Sequence, residues 1–210
     1  MTFSRSRALI PAAVLALALV ISGCSSTSSG ADAAVVGDST ITNAQLEGHV
    51  NAVLEAQGRP SNTADAELVN QTLNTLILLD LLEQVATDAG VVVTQGDIDR
   101  ERASEVAAAG GEDALKAAYL QQKIAPEQIN DRIRFGLLAS KIAAKLAPGQ
   151  ETSAAQEVLI AAVIAKSKEV DPQVNPRYGT WDSTTLQIGA SSAGLSTPLP
   201  TASPAVTAAQ

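Results

Sequence analysis

"SNTADAELVNQTLNTLILLDLLEQVATDAG", residues 61–90, is the stretch whose reading decides the fold. It is the longest periodic run in the chain. Asn62 or Thr63 is placed to cap a helix, and Asp65 and Glu67 fall in the first turn, where the helix dipole favours anions. Gly90 stands where a left-handed residue ends a helix. The middle, "LILLDLL", is apolar on nearly every side, and such a helix is buried. The run therefore predicts a central helix with the rest of the fold packed around it. Asp80 interrupts the apolar middle and is expected to reach a rim and meet an Arg.

Working outward, "AAVVGDSTIT", residues 33–42, has Gly37-Asp38 between two short β-prone pieces and predicts a strand or tight hairpin. Thr42 with Gln45 forms a capping-box pattern, and Leu46, Val50, Val53 and Leu54 share one helical face, ended by Gly58 and Pro60. Beyond the central helix, Val91–Val93 is a short extended piece. Thr94 followed by Asp97 starts another helix with Ile98 and Val106 inside, broken by Gly110-Gly111. A short helix follows with Leu115, Ala118 and Tyr119 on one side. Pro126 opens the next, whose stripe is Ile129, Ile133, Leu137 or Leu138, Ile142 and Leu146. Lys141 and Lys145 lie at its favourable, C-terminal end. The sixth helix lies in "TSAAQEVLIAAVIAKSKEV", residues 152–170, with Val158, Leu159, Ala162 and Val163 as its contact face.

The class is mainly α: about six helices between two short β segments. A lone two-stranded pair is not stable. The arrangement that uses both ends is a return of "VNPRYGTWD", residues 174–182, to pair with residues 33–42. Tyr178 and Trp181 cannot share a strand face at period two, so a bend near Gly179 is implied. In a chain with 2% aromatic residues, these two are expected to tie the last segment to the first.

The ends read differently. Arg5 and Arg7 precede the apolar run Ala8–Ser22, which is shorter than the roughly 20 residues a spanning helix needs. The run closes "ISGC" at Cys24, the only cysteine. This resembles a bacterial lipobox, which implies a lipoprotein signal peptide at residues 1–23 and lipid attachment at Cys24. Two acyl chains anchor stably where one does not. Loss of Arg5 and Arg7 takes the formal charge from −8 to −10, and nucleic acid is excluded as a partner because binding it needs cations. A single acylated cysteine leaves no disulfide. Residues 24–32 read as a flexible tether, residues 33–188 as the helical domain, and the uncharged Ser/Thr/Pro/Ala-rich residues 189–210 as a disordered tail.

Chemistry is sparse. His49 is the only histidine and has no ligand or nucleophile partner at usable spacing. The pairs Asp97/Asp99 and Glu112/Asp113 sit at helix starts, where capping explains them. No catalytic residue, cofactor or metal site is expected, and an enzyme reading would have to run through His49.

"AAVVGDSTITNAQLEGHV", then "LVNQTLNTLILLDLLEQVATDAGVVVTQGDIDRE", then "LQQKIAPEQINDRIRFGLLASKI" resembles the N-terminal domain of SurA-like periplasmic chaperones and PrsA-type foldases. The matching elements are Leu76–Leu82, Gly90–Asp99 and Pro126–Lys145, within a likeness that covers residues 33–182. Relatives often carry a parvulin-type isomerase domain, for which residues 145–152 leave no room, so isomerase activity is not carried over. The resemblance implies a chaperone-type, client-binding domain; together with the lipobox, the reading is a membrane-anchored, extracytoplasmic chaperone-like lipoprotein that binds unfolded or secreted polypeptides in apolar grooves. The alternative is a cell-envelope adaptor that binds one specific protein.

Overall fold

The computed structural model describes residues 32–64 and 66–189. The expected signal peptide, Cys24, most of the tether, Asp65 and the tail beyond Gly189 lie outside them. Strands β1 (Asp32–Val36) and β2 (Ser39–Thr42) form a hairpin whose two-residue loop places Gly37 at φ +62°, a backbone that favours glycine. Helices α1 (Asn43–Ala56), α2 (Ala66–Asp88), α3 (Gln95–Ala109), α4 (Glu112–Gln121), α5 (Ile129–Leu146) and α6 (Thr152–Val170) follow. A 3₁₀ turn at Pro126–Gln128 leads into α5. Three short strands end the fold: β3 (Gln173–Val174), β4 (Thr180–Asp182) and β5 (Gln187–Gly189).

The helix ends form as their sequences dictate. The Thr42 hydroxyl accepts from the Gln45 N–H at 3.1 Å, and the Gln45 side chain accepts from the Thr42 N–H at 2.8 Å. Thr94 and Asp97 make the same reciprocal pair. At the end of α2 the Gly90 N–H reaches the Thr87 carbonyl and the Val91 N–H reaches the Ala86 carbonyl, the two bonds of a Schellman motif.

Helix α2 is central, packing against α1, α5, α6 and β1. Leu73, Ile77 and Leu81 are fully enclosed, with Leu46 and Leu54 of α1 and Ile129, Leu138 and Ile142 of α5 in the same core. The α5 stripe resolves to Leu138, while Leu137 is half-buried and Leu146 exposed. On α6 the inward residues are Leu159, Val163 and Ser167; Val158 points out, because the four-residue steps from Leu159 leave it a helical step off the buried line. Ala118 of α4 is likewise exposed.

Asp80 does not meet an arginine. Its carboxylate accepts a 2.9 Å bond from the Ser39 hydroxyl on β2, so the acid inside α2 fixes the N-terminal hairpin to the helix. Gln84, one turn on, donates to the Val36 carbonyl at 3.0 Å. The arginine of this region, Arg134 of α5, instead pairs with Glu83 at 2.7 Å.

The last segment returns to the first. β3 pairs antiparallel with β1, Ala34 opposite Val174 and Val35 opposite Gln173, giving the sheet order β2-β1-β3. Asn175 extends the contact, its N–H bonding the Ala33 carbonyl and its amide the Asp32 carbonyl. The pairing is shorter than the whole 174–182 stretch because residues 175–178 turn, the Tyr178 N–H bonding the Asn175 carbonyl at 2.9 Å, and a bend at Gly179 follows. There φ is +131°, and a Cβ would stand 2.2 Å from the Gly189 carbonyl oxygen. Past it the chain forms a separate hairpin, β4 with β5, Trp181 opposite Ile188. The two aromatics therefore do different work. Tyr178 donates to Asn43 at the start of α1, with the Arg177 guanidinium over its ring. Trp181 donates from Nε1 to the buried Ser167 hydroxyl of α6 at 2.8 Å.

Candidate functional site

The α2 sequence holds more apolar residues than one buried face can use. Leu76, Leu78 and Leu79 are only half-buried. They open onto a groove of about 800 Å³, a size within the range of ligand sites. The floor is α2, from Leu68 to Leu79. One wall is the loop after α4, the 3₁₀ turn and the start of α5, with Ile124, Gln128, Arg132 and Phe135; the other is β5, with Gln187 and Ile188. Along α2, Leu68 to Leu79 spans roughly 17 Å. About five residues of extended peptide would cover it.

Each wall is set by a side-chain amide. Asn74 of α2 donates to the Leu186 carbonyl at 3.3 Å and accepts from the Ile188 N–H at 3.1 Å. One carboxamide thus occupies two backbone groups on the outer edge of β5, as a neighbouring strand would, and latches the C-terminal hairpin to α2. On the other side Gln128 accepts from the Ala125 N–H at 3.1 Å and donates to the His49 carbonyl at 2.8 Å. Its nitrogen also lies 3.2 Å from His49 Nδ1, which suits the tautomer protonated at Nε2. His49 therefore sits at the groove as a docking point between α1 and the 3₁₀ turn. Among the described residues, its ring Nδ1 meets the Gln128 amide.

The lining is close to electrically neutral. Lys123 is held by Glu67 at 3.1 Å and by Gln71 at 3.2 Å. Arg132 lies 5.3 Å from the centre of the Phe135 ring, with Asp131 beside it on the lining. Among the described residues, the Asn70 and Gln187 side chains are engaged in no hydrogen bond, so both amides can meet a peptide backbone. The floor mixes leucines (Leu68, Leu76, Leu78, Leu79) with polar side chains (Asn70, Gln71, Thr72, Asn74, Thr75), so it can meet both apolar side chains and backbone groups of a polypeptide.

The carboxylates singled out by sequence lie away from the groove lining, on α3 and α4. Asp97 caps α3 and accepts from Lys141 of α5 at 2.7 Å. Lys141, followed by the Thr94 N–H and hydroxyl, holds the Asp97 carboxyl far below the usual range. Glu112 pairs with Arg102 and, at 3.6 Å, with Lys116; Arg102 is the main cause of its lowered pKa. Asp99 accepts from Gln95 at 2.8 Å. Asp80 is shifted the other way: burial raises its pKa, the Ser39 hydroxyl opposes that, and nearby Glu83 adds to it. Among the described residues, no three His, Cys, Asp or Glu side chains gather as a metal would require, and no helix is long and apolar enough to cross a membrane.

Sequence alone singles out no groove residue as a site. Its one legible signal is the excess of leucine in "LILLDLL"; what hides the site is that its second wall comes from residues over 100 positions away.

The family model of the SurA-like N-terminal domain matches residues 3–143, more than half of the chain. No curated protein and no solved structure matches it. The matched part contains α2, α4 and most of α5, hence the floor and first wall of the groove; the β5 wall lies beyond it. In foldases this domain is the chaperone-like, non-catalytic part, and here α5 and α6 are joined by residues 147–151 alone. The chain belongs to the SurA-like N-terminal domain family.

Proposed function

We propose that this protein is a non-catalytic chaperone-like lipoprotein, anchored through Cys24 on the extracytoplasmic face of the cell membrane, that holds unfolded or secreted polypeptides. The observation that carries the reading is the α2 groove, with half-buried Leu76, Leu79, Ile124, Phe135 and Ile188 beside unengaged amides. Polypeptides that have not folded expose apolar side chains and unpaired backbone groups together, and this lining offers partners for both. Affinity spread over several leucine-sized contacts, each worth roughly 1–3 kcal/mol when fully buried, would tolerate many sequences.

The test is aggregation suppression. A soluble form starting at Ser25, mixed near equimolar with two unrelated unfolded proteins, is expected to lower light scattering from both. Ile124→Ser, in a loop at the groove wall, is expected to weaken that effect while leaving the melting temperature within a few degrees. Suppression of neither protein would overturn the general holdase and leave an adaptor for one specific partner.

A further inference from the structure

We infer that the chain's own C-terminal segment, residues 190–210, docks in the α2 groove and competes there with other polypeptides. This rests on reading the groove as a polypeptide site and names its resident occupant.

Three observations carry it. The first is continuity: Gln187 and Ile188 form a wall of the groove, and the segment leaves β5 immediately afterwards, at Gly189. Because Asn74 ties this strand to α2, the segment starts at the groove edge whatever the rest of it does. The second is charge. Residues 190–210 contain no Asp, Glu, Lys, Arg or His in a chain of formal charge −8, and the groove lining is close to neutral, with Lys123 already held by Glu67. The third is shape and composition. Leu195 and Leu199 are the large apolar residues nearest to β5, and Pro198 and Pro200 flank the second. Proline fixes φ in the extended range, so ordering this stretch gives up less conformational freedom. Extended, the stretch from Ala190 to Pro200 reaches at most roughly 35 Å, about twice the groove's length along α2.

A tethered ligand acts at an effective concentration on the order of millimolar. If the free segment binds with a Kd of about 100 μM, the attached one fills the groove in roughly nine molecules of ten. An incoming peptide then binds about tenfold more weakly.

The experiment uses a labelled peptide of residues 190–210. Fluorescence anisotropy follows its binding to the full chain, to a chain ending at Gly189, and to the full chain with Leu195→Asp and Leu199→Asp. Those two substitutions lie outside the described residues, and all three proteins are expected to melt alike. The peptide is expected to bind the shortened and the doubly substituted chains about tenfold more tightly than the intact one. A peptide carrying the same two substitutions should bind none of them. Equal affinity for all three proteins would overturn docking in cis. Dimerisation of the intact chain that is lost on ending it at Gly189 would overturn it too, by assigning the groove to a second copy's tail. If the peptide fails to bind the shortened chain while unfolded proteins are still held by it, this inference falls and the chaperone reading stands. Tighter peptide binding to the shortened chain, without any holding of unfolded proteins, would support the docked tail and overturn the chaperone reading.

Discussion

At the scale of the residue, single polar groups decide how the helices meet. Asp97 caps α3 and bonds Lys141 of α5, and its carboxyl is held far below the usual range by Lys141 first and the Thr94 donors next. A carboxyl lowered in the folded state stabilises above its unfolded pKa of about 3.9, and that contribution disappears as pH falls through the folded value. Asp97→Asn should therefore melt below the natural chain at neutral pH, and the gap should close only in strong acid. Thermal melts across that range check it; a gap that does not change with pH would remove the charge from the explanation. Asp80 has the opposite slope, since burial raises its pKa and the charged form is the disfavoured one. Its retained bond to Ser39 gives it a different role, fastening β2 to α2.

Among the elements, the C-terminal hairpin meets the helices through a handful of side-chain bonds. It rests on α2 through Asn74 and on α6 through Trp181 and Ser167. Asn74→Ala removes both bonds to the edge of β5. Loss of two such bonds costs about 1–3 kcal/mol, a fall of roughly 2–4 °C in melting temperature for each kcal/mol in a chain this long. Because Trp181 is the only tryptophan, its fluorescence reports the hairpin separately from the helices. In Asn74→Ala the fluorescence transition should precede loss of the helical circular dichroism signal; two coincident, unshifted transitions would show that Asn74 does not hold the hairpin. The hairpin also had a sequence signal. Asp182 accepts from the Thr184 N–H at 2.7 Å and the Thr185 N–H at 3.3 Å, the turn that "DSTT" favours.

At the scale of the whole molecule, the described residues form a helical domain whose groove is closed on one side by β5. Its proposed setting depends on Cys24, outside the described residues. Cys24→Ala is expected to move the protein from the membrane fraction to the soluble extracytoplasmic fraction without altering its helices. Membrane retention of that variant would remove the lipid anchor from the reading. Six helices, the buried face of α1 and both capping boxes could be read along the chain, because each depends on neighbours within about four positions. A return of the last segment to β1 was legible, since an unpaired terminal hairpin needs a partner, but it was read over residues 174–182, of which Val174 pairs with β1 while residues 180–182 form a separate hairpin.

What the sequence determined by itself is this set of elements and their order, through local periodicity, caps and turn residues. The family likeness rested on the same pattern. What only the tertiary structure decided is where those elements leave gaps. Leucines of equal hydrophobicity were separated into enclosed Leu73 and Leu81 and half-open Leu76 and Leu79. Asp80 was given to a serine rather than an arginine, and Trp181 to a second hairpin rather than the first sheet. The physical reason is common to all of these. Burial and hydrogen-bond partners depend on which surfaces meet across long stretches of chain, and local periodicity carries no record of that meeting.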